Sequence, residues 1–404
     1  MIEGLDKLTE GRVKNPNSVK QLKDYFYIHK GIKPYVSRTT GNPTTDEDAL
    51  KRLLRKGHKE AELLLEIRGL TKLKSTYLDV TLDEDKRLRC AMNPVGTKSG
   101  RLSSSKTIFG TGTNMQNQPK EMKKFMLADD GYIMYSCDLS QAENRVVAYI
   151  APERAMIEAF ENEIDIHRQT AGLIFQKPIS EISDESGSCH IGGGKFSERF
   201  WGKKANHGLN YDLGYRTFAY YYEIVEADSK FIVESYHNAY PGVRKYHRWV
   251  QEQLKQGRTL TNPFGRNRKF MNRWGHELFK EAYSWIPQST VADKINRDGI
   301  LFMYNNQQWF KDVDILNQVH DSIVFQIPIN IGIKRHADIL HRLKNSLESP
   351  IEWRVRSFSI PLDIEMGLNL NDTVSLNLKD IKGVLNIEKT IREPFLRISG
   401  EAKT

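Results

Sequence analysis

YIMYSCDLSQAENRVVAYI, residues 132–150, is the stretch that decides the fold class. Tyr132–Cys137 is an apolar, strand-like run that leads into an acid, Asp138. From Ser140 to Ile150 the spacing predicts the following helix. Its counterpart is DILNQVHDSIVFQI, residues 314–327, where two apolar runs flank His320-Asp321-Ser322 and predict a hairpin with the acid at its tip. A helix over about 334–348 and a strand over Ile360–Met366 follow, so the core reads as α+β with an antiparallel sheet. Two carboxylates, Asp138 and Asp321, thus stand 183 positions apart in sequence, each at the end of an apolar run.

Between them lies RFWGKKANHGLNYD, where Arg199, Lys203, His207 and Tyr211 recur every fourth residue. At helical pitch such positions share one stripe. Arg199 and Lys203 suit phosphates, and the two rings further along suit a sugar and a flat base. A cationic surface helix with two incidental aromatics is the plainer alternative. Paired carboxylates in turn suit a two-cation site, because hard Mg²⁺ prefers carboxylate and phosphate oxygens and keeps several waters. Two metals about 3.5–4 Å apart can activate a hydroxyl and stabilise a leaving pyrophosphate. An Asp after a strand is more often a turn or cap residue, so the conjunction carries the argument rather than either acid alone.

The rest of the chain sets bounds. At 404 residues it has room for two or three folded substructures, and its 39% hydrophobic and 27% charged residues are those of a globular protein. No apolar run reaches the length of a membrane span, and MIEGLDKLTEGRVKN lacks a signal peptide's apolar core. Three cysteines, Cys90, Cys137 and Cys189, have no metal-ligand spacing and argue against a disulfide framework. The formal charge of +9 fits a nucleic-acid partner without establishing one.

Residues 17–79 read as helical and basic. Leu53, Leu54, Ala61, Leu64, Leu65 and Ile67 form an apolar face, and Lys51, Arg52, Arg55, Lys56, Lys59, Arg68, Lys72 and Lys74 crowd the remainder, either as a solvated surface or as an arm along a phosphate backbone. Asp46-Glu47-Asp48 reads as a helix start. Residues 86–119 mix strand and loop and contain the polar stretch GTKSGRLSSSKTIFGTGTNMQNQP, whose hydroxyls, amides and Arg101 suit phosphate and sugar. Residues 153–258 are mostly helical, broken by the glycine-bearing loop ESGSCHIGGGK at 185–195. From about 376 onward the tail has no assignment, although its Lys379, Lys382, Lys389 and Arg392 could form a solvated surface or a partner-binding segment.

Taken together, these segments resemble the polymerase portion of a family A (Pol I-like) DNA polymerase, of the phage or viral branch. LTKLKSTYLD (70–79) resembles that family's thumb-to-palm segment, and SGRLSS (99–104) with NMQNQP (114–119) the stretch that follows. DLSQAENR (138–145) resembles motif A, the helix at 199–212 motif B, and QVHDS (318–322) motif C, while IPQSTVAD (286–293) resembles the palm helix touching the template. The matches are co-linear from roughly 17 to 371.

The resemblance implies a right-hand fold: a reduced helical thumb over 1–85, palm over 86–152 and 263–375, fingers over 153–262, and a tail of unknown role over 376–404. It implies two Mg²⁺ ions, with Mn²⁺ as a substitute, held by Asp138, Asp321 and the Leu139 carbonyl. Arg199 and Lys203 would bind the triphosphate, Lys203 also donating a proton to the pyrophosphate, with His167 and Gln141 beside the β- and γ-phosphates. Glu143, held by Tyr211, would exclude a ribose 2′-hydroxyl. Tyr211 would also cover the templating position, and His207 would stand near the sugar. Arg101, Gln116, Gln288, His320, Lys72 and Lys74 would contact primer–template DNA.

Four departures from the family pattern stand out. His207 replaces an aromatic tied to sugar choice, Leu139 a Tyr, Asp212 a Gly, and Ser322 the Glu of motif C. We expect the two aspartates to suffice, with Ser322 altering metal or primer-end positioning. Only some seventy residues precede LTKLKSTYLD, so proofreading by this chain is not expected; either the exonuclease is a separate protein or this is a fragment, and there is room for a processivity partner. A monomer without membrane attachment, in the cytoplasm of a bacterium or a phage-infected cell, is the expected setting.

Three other functions compete. A single-subunit RNA polymerase-like enzyme would keep the fold, but a carboxylate at Glu143 blocks the 2′-hydroxyl. A catalytically silent DNA-binding derivative has no need of metal-ligating acids. A two-metal nuclease leaves the triphosphate-facing helix unexplained.

Overall fold

The computed structural model describes residues 1–37 and 40–401. These form two compact units, Met1–Ala91 with Ser105–Asn114, and Met92–Ser104 with Met115–Thr404.

The smaller unit is helical. Helices α1 (Glu47–Arg55) and α2 (Lys59–Leu73) bury Leu50, Leu53, Ala61, Leu64 and Ile67 against Leu5, Leu22, Tyr25 and Phe26. Asp46 starts α1 as expected, its carboxylate accepting from the Ala49 amide at 2.9 Å and satisfying one of the helix's free donors. The helical reading of 17–79 is interrupted, because among the described residues of 31–46 there is no helix, and Val36 and Pro43 form a bridge. Not all the basic residues lie free on the surface. Arg68 donates to the Pro16 and Thr45 carbonyls at 3.1 and 2.7 Å, and Arg52 and Lys56 lie over the Tyr35 ring.

The larger unit is built on a five-stranded, fully antiparallel sheet. Its strands are β1 (Tyr132–Leu139), β2 (Asp314–Val319), β3 (Ser322–Pro328), β4 (Leu362–Gly367) and β5 (Thr373–Leu376), in the order β5-β4-β1-β3-β2. Alternation along β1 sends Ile133, Tyr135, Cys137 and Leu139 into the core, where Ile323, Phe325 and Ile327 of β3 and Leu362, Ile364 and Met366 of β4 share their face. Helix α9 (Ile333–Leu347) is tied to that face by His336, whose Nδ1 meets the Tyr135 hydroxyl at 2.8 Å. The pairing puts Asp138 opposite Ser322 on one side and Asp363 on the other, all on the second face.

Helices supply the remainder of this unit. In chain order they include α3 (Ala142–Ile150), α4 (Ile166–Phe175), α5 (Glu198–Leu209), α6 (Glu226–Ala239), α7 (Pro241–Gly257) and α8 (His276–Lys294). Helix α3 begins at Ala142 rather than Ser140, because Gln141 is left-handed at φ 51°. A hairpin of Thr259–Thr261 and Asn267–Lys269 straddles position 262, the boundary expected between fingers and palm. The tail is not featureless. Helix α10 (Val384–Glu401) buries Ile387, Ile391, Phe395 and Ile398, and Phe395 meets the His336 ring edge-on at 4.9 Å. Its apolar spacing of 4, 4 and 3 is a helical signal that the basic residues between had obscured. Among the described residues no helix is long and apolar enough to cross a membrane.

Candidate active site

Asp138 lies inside the ladder, one residue short of the end of β1, so it is neither a turn residue nor a cap. Asp321 is the second residue of the two-residue turn joining β2 and β3, and the turn's first residue, His320, is left-handed at φ 53°. The Leu139 amide donates to the Asp321 carbonyl at 3.1 Å, which ties the two acid-bearing segments together through the backbone. Burial raises the Asp138 carboxyl to about 7, with the charges of Asp321, Asp363 and Glu365 adding to it. Burial likewise raises Asp321, although Arg101 opposes the shift. A pair of half-buried carboxylates, both raised by desolvation, is suited to a cation.

Sequence reasoning missed the residue that shapes this turn. Gln318 donates from Nε2 to the His320 carbonyl at 2.6 Å, and Gln116 Nε2 donates to the Gln318 carbonyl at 3.0 Å and to Leu102 at 3.1 Å. Gln116, expected on DNA, therefore has a bracing role in this structure. Ser322 donates to the Val319 carbonyl at 3.0 Å, closing the hairpin from within. A carboxylate at 322 would instead stand directly opposite Asp138, adding like charge to a pair already strained by it.

A cavity of about 320 Å³ opens beside Asp321, lined by Arg101, Gln141, Glu143, His207, Tyr211 and His320 among others. Glu143 is gripped from two directions. Arg101 Nη2 pairs with one carboxylate oxygen, and Tyr211 Oη donates to the other at 2.6 Å. Burial beside Glu143 raises Tyr211 well above the usual phenol range, so it acts here as a donor. Arg101, expected on primer–template DNA, is thus engaged with Glu143.

Helix α5 presents the expected stripe in part. Ser197 caps it, accepting from Phe200 N at 3.0 Å, and Trp201, Gly202, Ala205, Asn206 and Leu209 face inward, leaving Lys203 and His207 exposed and Arg199 half-buried. Tyr211 falls outside the helix, in the turn after Leu209, and not on a continued stripe. Gly202 is needed for packing, since a Cβ there would come within 2.1 Å of the His167 carbonyl on α4. The Asn206 amide donates to His167 Nδ1 at 3.0 Å, and burial lowers His167 to about 4, keeping it neutral. His207 lies 5.9 Å away ring to ring; although solvent reaches its side chain, the protein packed around the ring and then the Lys203 charge lower it.

Arg199 already has a partner. Its Nε donates to Asp165 Oδ2 at 2.8 Å, and Nη1 lies 3.7 Å from Asp184. Asp165 Oδ1 meanwhile caps α4 through the His167 and Arg168 amides at 2.8 and 3.1 Å. Gln288 is half-buried on α8. Lys72 and Lys74 belong to the smaller unit, where Lys74 pairs with Asp79 at 2.6 Å.

Among the described residues no three His, Cys, Asp or Glu side chains converge as a ready metal cage. The set at hand is two carboxylates and backbone oxygens, which fits a hard divalent ion that keeps waters and completes its shell from substrate phosphates.

Comparison with known proteins agrees with this geometry. The chain is 26% identical over 380 residues to DNA polymerase I of Pseudomonas aeruginosa, an alignment covering 89% of this chain and 38% of that protein. It is 27% identical over 376 residues to the thermostable DNA polymerase I of Thermus aquaticus, covering 88% and 41%. The chain thus spans about two fifths of the length of these relatives. Both are bacterial, so the phage or viral branch expected from the sequence has no support here. Among solved structures, the POL domain of Pol1 from M. smegmatis, in complex with DNA primer-template and dNTP, superposes with a TM-score of 0.75 at 24% identity, covering 91% of this chain and 63% of that one. That likeness establishes the right-hand polymerase fold. The model of DNA polymerase family A matches residues 4–373, and the chain belongs to that family.

Proposed function

We propose that this chain carries out template-directed DNA synthesis, adding deoxynucleotides from their triphosphates to a primer 3′-hydroxyl with release of pyrophosphate. One observation carries the reading. A fold that keeps Asp138 and Asp321 183 residues apart in sequence joins them at one end of the sheet, beside a cavity that Tyr211 and His207 also line.

Asp138 and Asp321, with the Leu139 carbonyl, would hold two Mg²⁺ ions, which supply charge neutralisation at the reacting phosphate. The chain's own residues do the remainder. Arg199 and Lys203 bind and align the triphosphate; there Asp165, bound to Arg199 Nε, competes with phosphate oxygens for the guanidinium. His167, neutral with Nδ1 occupied by Asn206, offers Nε2–H as a donor to a phosphate oxygen. Gln141 stands at the cavity wall as a further polar contact. Lys203 is the candidate proton donor to pyrophosphate. Glu143, fixed by Arg101 and Tyr211, occupies the place where a 2′-hydroxyl would go, which favours deoxynucleotides over the RNA polymerase reading. His320, Arg101 and Gln288 would meet the primer–template, with Lys72 and Lys74 along its backbone. The M. smegmatis protein was captured with primer-template and dNTP, which supports the same partners here.

Extension of a labelled primer on a DNA template with Mg²⁺, run in parallel with deoxy- and ribonucleotides, tests this. Growth with deoxynucleotides alone is expected. Growth with ribonucleotides would overturn the Glu143 assignment, and no growth with DNA still bound would overturn the synthesis itself.

A further inference from the structure

The turn after α5 is held at three consecutive residues by four helices. Asn210 is buried; its carbonyl meets His247 Nε2 of α7 at 2.8 Å, and its side chain takes the Tyr236 hydroxyl of α6 at 2.7 Å and Asn144 of α3 at 2.9 Å. Tyr211 bonds Glu143 of α3. Asp212 is left-handed at φ 61°, a conformation that Asp and Asn tolerate better than most side chains. Its carboxylate pairs with Arg244 of α7 and lies 3.7 Å from His276 Nε2, the first residue of α8.

These ties differ in kind. Those on Asn210 are neutral and buried, part of the folded interior. The Asp212–Arg244 pair is half-exposed, with side-chain accessibilities of 20% and 40%, and a pair of that sort contributes little to global stability. Its position is what matters. With Asn210 fixed on one side and Asp212 on the other, the Tyr211 backbone cannot swing, and the Tyr211 hydroxyl stays on the Glu143 carboxylate. Release of Asp212 leaves Tyr211 held by Asn210 and by the turn's own backbone bonds, from the Tyr211 and Leu213 amides to the Gly208 carbonyl at 3.3 and 3.1 Å.

We propose that Asp212 and Arg244 form a latch that positions Tyr211 against Glu143, making both of them positioning residues for the sugar of the incoming nucleotide. This rests on the polymerase reading above. Neither residue lines the cavity, so the effect passes through Tyr211.

The test compares Asp212→Asn, Arg244→Gln, the double variant and Arg244→Lys. Asn keeps the shape and the left-handed backbone while removing the charge. Each single variant should raise KM for deoxynucleotides and lower discrimination against ribonucleotides by about fivefold, the upper range for such a pair, with kcat near that of the parent. The double variant should be no worse than either single, and Arg244→Lys should restore most of the loss. Amide hydrogen exchange across residues 208–215, which needs no activity, should quicken equally in both singles and the double. Unchanged exchange, additive losses, or altered melting with sugar discrimination intact would each overturn the latch. If the parent chain fails to extend primers, the polymerase reading falls, while the exchange result still decides whether the latch exists.

Discussion

Asp138 and Asp321 sit half-buried, where desolvation raises both and the charge of Asp321 adds to the cost of ionising Asp138, whereas Arg199 has its charge already answered by Asp165 and Asp184. The acidic part of the site therefore carries an uncompensated charge that a bound cation relieves. The basic part carries a compensated one, so a phosphate there competes with an internal partner. Between them Glu143, held by Arg101 and Tyr211, links α3 to the turn beyond α5. The contrast teaches that one part gains by binding, while at the other a ligand competes with a partner already in place.

The most severe way to break this contrast is Asp138→Asn. Primer extension should fall about a thousandfold or more, with DNA binding nearly intact by gel shift. The same variant should melt higher at pH 8 without divalent cations. The folded carboxyl titrates near 7 against 3.8 unfolded, so its cost builds as pH rises from 3.8 and is complete above 7, on the order of 4 kcal/mol. At pH 4 the gain should vanish. A lower melting temperature at pH 8 would show that Asp138 is not electrostatically strained.

Glu143→Ala acts on the link. Discrimination against ribonucleotides should drop about tenfold to a hundredfold, measured as the ratio of kcat/KM values, and unchanged selectivity would remove Glu143 from that role.

On the basic side, Asp165→Asn keeps an oxygen for the α4 cap but frees Arg199. KM for deoxynucleotides should fall about threefold; a rise would mean that Asp165 orients Arg199 rather than competing for it.

A separate effect, on stability rather than on activity, concerns the platform beneath both. Burial lowers His336 to about 4, while Tyr135 and the Pro328 carbonyl occupy its nitrogens. Its folded value is depressed, so the stability it contributes is present above pH 6.5 and is lost as pH falls toward 4. That loss is about 3 kcal/mol, spread over the window, and His336→Phe should flatten this part of the curve in denaturant titrations.

Much of this site was legible in the sequence because its signals are local. Asp138 ends an apolar run, Asp321 tips a hairpin, and Arg199, Lys203 and His207 keep helical pitch, as the structure bears out. What escaped depends on contacts between distant segments. Gln318 and Gln116 brace the turn from 202 residues apart, and no local pattern marks such a pair. Arg199's ties to Asp165 and Asp184 are equally invisible, because charge counts do not say which charges meet. Tyr211 shows the limit of periodicity, since spacing alone cannot say that a helix stops two residues earlier.

The family match closes at residue 373, yet α10 begins at Val384 and buries Ile387, Ile391 and Phe395 where it packs on α9. For anyone preparing this protein, the recognisable segment is therefore shorter than the packed one. Trimming to the matched span would strip a lid of aliphatic side chains from α9, and the exposed surface would invite aggregation, however complete the catalytic motifs.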